Sequence, residues 1–181
     1  AAGFAALTDS LDFGDAPDAL YQTLMASNGA QHVLGAPIWL GQTVDPDQDG
    51  QPSPLADGDD LNQVPDDEDG ITFMQQFLTP GDPAAPILVD GGPSGGLLDG
   101  WIDFNRNNVF DNPLEHLWGG ACQVLMPGGP QPLAFVVPQG AALGPTYARF
   151  RLSTVGQLPP FGPAPNGEVE DYRVQIGEPP E

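Results

Sequence analysis

The sequence predicts an all-β fold, an antiparallel β-sandwich with long calcium-binding loops and little helix. Three observations carry that expectation. Long helical periodicity is nearly absent, short apolar or alternating runs are separated by Gly- and Pro-rich turns, and the acidic residues concentrate in the loops. Gly (24) and Pro (22) together reach a level that warns of disorder, but the 40% hydrophobic content argues that the chain folds, through many short elements.

Taken in order, a short helical piece is expected at residues 19–25 and one further turn at 75–78. Residues 28–70 read as loop. Strands are expected at 97–104, 123–126 and 133–137, the last two separated by Pro127-Gly-Gly-Pro130, and then at 146–153 and 168–176. In the 146–153 strand Ala148, Phe150 and Leu152 alternate with Tyr147, Arg149 and Arg151. The period of two predicts an apolar face inward and a cationic face outward. The length of 181 residues fits one compact module, with an acidic, loop-rich half at 1–80 and a sandwich core at 81–181.

The charge narrows the function classes. Asp and Glu number 25 against four Arg and no Lys, a formal charge of −21, which excludes nucleic acid and anionic membrane as partners. A body with that charge repels itself, and bound divalent cations are a direct remedy. No run of 18 apolar residues exists, so no membrane insertion is expected. Cys122 stands alone, a small buried hydrophobe rather than half of a disulfide. The small-residue start, Ala-Ala-Gly-Phe-Ala-Ala-Leu, fits what remains after signal cleavage and so an extracellular, secreted location.

Two acidic loops share one pattern. Asp45, Asp47 and Asp49 followed by Gly50 reproduce positions 1, 3, 5 and 6 of a calcium loop, in which alternate side chains point into a bend that the glycine permits. Asp103, Asn105, Asn107 and Asn108 repeat it, with Asp111 at position 9. In both loops position 12 is apolar (Ala56, Leu114) and position 13 acidic (Asp57, Glu115). The competing reading is a pair of Asx-turns in surface loops. Further clusters are Asp57, Asp59 and Asp60, then Asp66, Asp67 and Asp69, so that ten of the 25 acids lie between Asp45 and Gly70. Asp15, Asp18, Glu170 and Asp171 complete the candidate ligands. Some of the acids around Glu168–Asp171 are expected to pair with Arg149, Arg151 or Arg173 and others to hold metal. Oxygen-only ligands point to calcium or another hard cation.

The hexapeptide Gly167-Glu-Val-Glu-Asp-Tyr172 resembles the motif of the GEVED domain, a family of modules in secreted and cell-surface bacterial proteins. The Trp101-Ile-Asp-Phe-Asn105 run, Val137-Pro138 and the Ala148-Arg-Phe-Arg151 strand resemble the same family in the same order, covering roughly 97–177. The Asp12-Phe-Gly-Asp-Ala-Pro-Asp18 and Asp66-Asp-Glu-Asp-Gly70 segments resemble the stretch that often precedes it. The resemblance implies a β-sandwich module of adhesins and other exported proteins, without catalytic activity. Asn107 and Asn108 depart from the D-x-N-x-D-G form and lower the formal charge of the second loop.

Enzyme readings find little support. Carboxylate pairs such as Asp15/Asp18 or Glu168/Glu170 arise in any acidic chain, and His32 and His116 are too few for a zinc site of several histidines. Two non-catalytic expectations remain. One is a structural subunit that self-associates into a fibre, or serves within an adhesin, through the terminal segments 1–7 and 177–181, by strand addition. The other is a calcium-dependent module binding a surface glycan or protein ligand, with Trp39, Trp101 or Trp118 as stacking platforms.

Overall fold

The computed structural model describes residues 10–58 and 67–178, so Asp59, Asp60, Asp66 and the apolar segment 1–7 lie outside the described residues. The strands are β1 (Leu11–Phe13), β2 (Gln31–Val33), β3 (Ile71–Phe73), β4 (Ala85–Asp90), β5 (Gly96–Ile102), β6 (Gln123–Leu125), β7 (Pro130–Phe135), β8 (Gly144–Ser153), β9 (Pro163–Ala164) and β10 (Glu168–Ile176). Among the described residues the only helical element is a 3₁₀ turn, Met25–Ser27.

Two antiparallel sheets face each other, one ordered β10-β8-β5-β6 and the other β3-β4-β7. Between them lies the main core. Ala148, Phe150 and Leu152 of β8 meet Leu98 and Ile102 of β5 and, across the gap, Ile87 and Val89 of β4 and Phe135 of β7. Each of these side chains larger than alanine contributes roughly 1.5–3 kcal/mol. The expected sandwich is therefore present.

A third sheet, β1-β2-β9, was not legible, because its strands are two or three residues long. It changes the fate of the face predicted to be cationic and outward. Arg149 and Arg151 do lie on the face of β8 opposite the core, yet both are 0% exposed. The segments around Tyr21–Thr23, β2 and 158–163 cover them. Arg149 donates to the carbonyls of Tyr21 (2.7 Å) and Pro160 (2.9 Å), and Arg151 to those of Pro159 (2.7 Å) and Gly162 (2.8 Å). Strand periodicity separates two faces but does not say how many layers cover each.

The helix expected at 19–25 does not form. Ala19 (φ 71°) and Gln22 (φ 54°) are left-handed, and the Asp18 carboxylate accepts the N–H groups of Thr23 and Leu24, both at 3.0 Å, and the Ser27 hydroxyl at 2.6 Å. This local capping outcompetes the helical ladder. Burial opposes the charged form of Asp18, but those bonds outweigh it and lower its pKa to about 2. The turn expected at 75–78 is instead a pair of bends at 76–77 leading to Leu78, which bridges Ile176 in parallel.

Candidate metal centre

β10 has two chemically distinct faces. Glu168, Glu170, Tyr172, Val174 and Ile176 share one by the period of two, and the last two belong to the main core. Glu168 and Glu170 thus continue the core face as carboxylates at one end of the sandwich. Asp171 is on the other face, directly opposite Arg149 in the register. The turn into this strand depends on Gly167 (φ 98°), where a Cβ would lie 1.8 Å from the Leu152 carbonyl oxygen.

Each acid of this strand holds a piece of the N-terminal half. Glu168 accepts the Leu40 N–H. Glu170 accepts the Gly70 N–H and the Tyr172 hydroxyl, both at 2.9 Å. Asp171 pairs with Arg149 and accepts the Ala16 N–H at 2.8 Å. In return, the Val169 N–H donates to Asp12 at 2.7 Å. At Gly70 a Cβ would come within 2.4 Å of the Leu40 Cβ, so only glycine allows the two segments to pass this closely.

At this seam Asp12, Asp67 and Glu168, all buried, bring one carboxylate oxygen each to within 4.8 Å of one another. Oxygens held at about 2.4 Å from a common calcium ion stand at most about 4.8 Å apart, so the spacing fits a shared cation. All three donors are hard carboxylates, which suits calcium rather than zinc or copper. Burial, and then the charges of Asp47, Asp67 and Glu170, push the Asp12 carboxyl well above the usual range. Burial, with Glu170 and Asp12, does the same to Glu168, and burial raises Glu170 to about 8.

The wider charge count points the same way. Nine carboxylates are buried among the described residues (Asp12, Asp15, Asp67, Asp99, Asp103, Glu115, Glu168, Glu170 and Asp171), against two arginines and His116, whose Nε2 lies 3.1 Å from Asp99. Arg149 takes Asp171, and Arg151 donates Nε to His32 Nε2 at 2.9 Å rather than to an acid. His32 Nδ1 lies 2.8 Å from the Asn166 carbonyl, so the ring is a neutral Nδ1–H tautomer, and burial followed by the Arg151 charge holds its pKa well below the usual value.

Of the residues expected to ligate, Asp67 alone joins the triad, while Asp45 donates its N–H to Asp67 at 3.0 Å. Asp47 accepts from the Phe13 N–H (3.3 Å) and from Gln51 (3.2 Å), and Asp49 accepts the Met25 N–H at 2.6 Å. The first acidic loop thus spreads its side chains over β1 and the 3₁₀ turn. Asp57 accepts the Ser53 hydroxyl (2.6 Å), Asp69 the Gln42 N–H (2.9 Å), and Asp15 is buried.

The second loop does converge. Asn105 and Asn107 both donate side-chain amides to one Asp111 oxygen, at 2.9 and 2.8 Å. Asp103 accepts the N–H groups of Asn107 and Asn108 and the Tyr21 hydroxyl, and Glu115 those of Asn105 and Asp111. Asn108 has the expected left-handed backbone (φ 67°), and Arg106 shares it (φ 58°). Burial raises Glu115 to about 7.

Residues 98–175, from β5 through nearly all of β10, match the sequence model of the GEVED domain. The chain contains a GEVED domain. No curated protein and no solved structure matches the chain. The presence of this domain suggests an extracellular module of some kind, and no helix among the described residues is long and apolar enough to cross a membrane. The motif that names the GEVED domain is here the seam itself. Sequence reasoning missed Asp12 as a candidate ligand and placed Glu168 in an acidic cluster expected to hold metal or pair with arginine without singling it out. The signal for Glu168 was available in its parity with Tyr172, Val174 and Ile176, whereas Asp12 gave none, because its strand is three residues long.

Proposed function

We propose that this chain is a calcium-binding structural module of an extracellular bacterial assembly. In this reading a calcium ion shared by Asp12, Asp67 and Glu168 fastens the N-terminal half onto the GEVED domain. The observation that carries it is the buried carboxylate triad at the seam, with oxygens within 4.8 Å of one another. Buried like charges are strongly unfavourable unless neutralised, and a divalent cation converts the repulsion into a cross-link. The remaining coordination positions suit water and backbone carbonyls. Calcium affinities of extracellular modules fall at about 10⁻⁴–10⁻³ M, matched to a calcium-rich exterior.

The role is non-catalytic. The ion sets the relation between two parts of the fold, and the module serves as a unit of a surface fibre or adhesin. Self-association has one specific support. β6 is an edge strand of the larger sheet, with Val124 exposed within it and Met126 exposed just after it. Thermal unfolding with calcium and with chelator tests the ion, and sedimentation in both conditions tests assembly. An identical melting curve in the two would overturn the calcium reading, and a monomer at all concentrations in calcium would overturn self-association of the isolated chain.

A further inference from the structure

A groove of about 310 Å³ opens where the end of β3 and the bends after it run past the edge of β10. That is the lower end of the volume range of small-molecule clefts. In a chain of 25 acids, no acidic residue is among those lining it. Its polar groups are the amides of Gln75, Gln76 and Gln175 and the guanidinium of Arg173, with Phe73 at its apolar side. Gln75 already donates one amide N–H to Asp82 (3.3 Å) and Gln175 one to the Ile176 carbonyl (3.1 Å), which leaves their amide oxygens and second N–H groups for a ligand. Two of the other arginines are buried and Arg106 bonds the carbonyls of Leu143 and Pro145. Arg173 is exposed and makes no hydrogen bond or ion pair among the described residues.

The backbone adds to this set. Gln175 and Gly177 direct main-chain groups outward from β10, where the Leu78 N–H donates to the Gln175 carbonyl and the Gly177 N–H to the Leu78 carbonyl. By the same period Arg173 turns its N–H and carbonyl toward that outer edge, and β10 is the end strand of its sheet.

We propose that this groove is a binding site for a carboxylated saccharide, a uronic acid unit of a polysaccharide. Arg173 pairs with the carboxylate, the three glutamine amides and the Arg173 backbone exchange hydrogen bonds with ring hydroxyls, and Phe73 meets the C–H face of the sugar. Hydroxyl-rich ligands need donors and acceptors together, which amides supply. The fork of an arginine suits a carboxylate in two-point contact. None of the three tryptophans expected as platforms lines this groove. Trp101 is fully buried, and Trp118 donates its indole N–H to the Ala134 carbonyl at 3.0 Å.

This site does not rest on the calcium reading, and the test separates them. In calcium-saturated protein, an NMR titration with methyl glucuronide is expected to give saturable shifts confined to Phe73–Gln76 and Arg173–Gln175. Methyl glucoside binds at least about tenfold more weakly, the equivalent of one lost charge-assisted contact. Arg173→Gln loses at least tenfold in glucuronide affinity while keeping the wild-type melting temperature and its response to calcium. Absence of saturable shifts, equal binding of glucoside, or undiminished binding by Arg173→Gln overturns the proposal. So does displacement of the glucuronide shifts to the Asp12–Glu168 seam, where the sugar carboxylate would be a ligand of the ion.

Discussion

Arg149 and Asp171 face each other across β8 and β10 and exchange two hydrogen bonds, Nε to Oδ1 and Nη2 to Oδ2, each 2.7 Å, with both side chains 0% exposed. The pair is also the anchor of the N-terminal segment, since Arg149 binds the Tyr21 and Gln22 carbonyls and Asp171 the Ala16 N–H. A two-point pair beneath a third layer therefore holds one side of the seam, and the carboxylate triad lies on the other face of the same strand.

Breaking this pair leaves a buried charge without compensation. Asp171→Asn and Arg149→Gln should each lower stability by about 3–5 kcal/mol in urea unfolding with calcium present. The double variant should cost less than the sum of the two. A loss below about 1 kcal/mol for either would contradict the structural role assigned to the pair.

The triad predicts an opposite pattern for conservative amides. Asp12→Asn and Glu168→Gln each replace a buried carboxyl, whose ionised form is disfavoured there, by a neutral amide, so stability in chelator should hold or rise while the calcium response shrinks. At calcium 100-fold above the dissociation constant, linkage adds about 2.7 kcal/mol. For a chain of this size that corresponds to roughly 5–11 °C in melting temperature. The double amide variant should lose that increment, whereas Asp111→Asn in the second loop should leave the triad's share in place.

Protons compete with the ion. In the cation-free protein the folded-state pKa values of Asp12, Glu168 and Glu170 lie above their unfolded values, Glu170 at about 8. Their contribution is fully present below the unfolded carboxyl range, about pH 4, and is lost as pH rises through the folded values. The calcium-induced gain in melting temperature should accordingly grow from pH 5 to pH 8, with proton release on binding measurable by calorimetry in buffers of different ionisation enthalpy. A gain independent of pH would count against buried, protonated carboxyls as the ligands.

His32 works in the other direction. Its folded-state pKa lies well below the ordinary value, so its contribution is fully present above about pH 6.5 and falls as the pH drops toward the folded value. With calcium saturating, the wild type should lose stability below that point. His32→Gln, which offers an amide oxygen to Arg151, should show a flatter profile over the same interval. Equal slopes would show that the imidazole does not set the acid limb.

The sandwich was legible where apolar alternation persists for several residues, as in β8 and in β10, whose bounds the sequence reading matches. β1, β2 and β9 were not, since two or three residues cannot establish a period and tertiary pairing alone makes them strands. The same blindness hid the cover over Arg149 and Arg151. In the second acidic loop, spacing correctly brought Asp103, Asn105, Asn107, Asp111 and Glu115 together, because all lie within one bend. In the first, the same spacing failed to do so. Asp47 and Asp49 are drawn to backbone donors of β1 and of Met25, groups distant in sequence that no local pattern announces.

The central claim is that a cation joins Asp12, Asp67 and Glu168. A crystal structure of the calcium-bound protein with an anomalous difference map tests it most directly. The account predicts a peak at about 2.3–2.6 Å from a carboxylate oxygen of each of the three residues. Density for calcium only in the Asp103–Glu115 loop, with the triad carboxylates hydrogen-bonded to one another or to water, would contradict it.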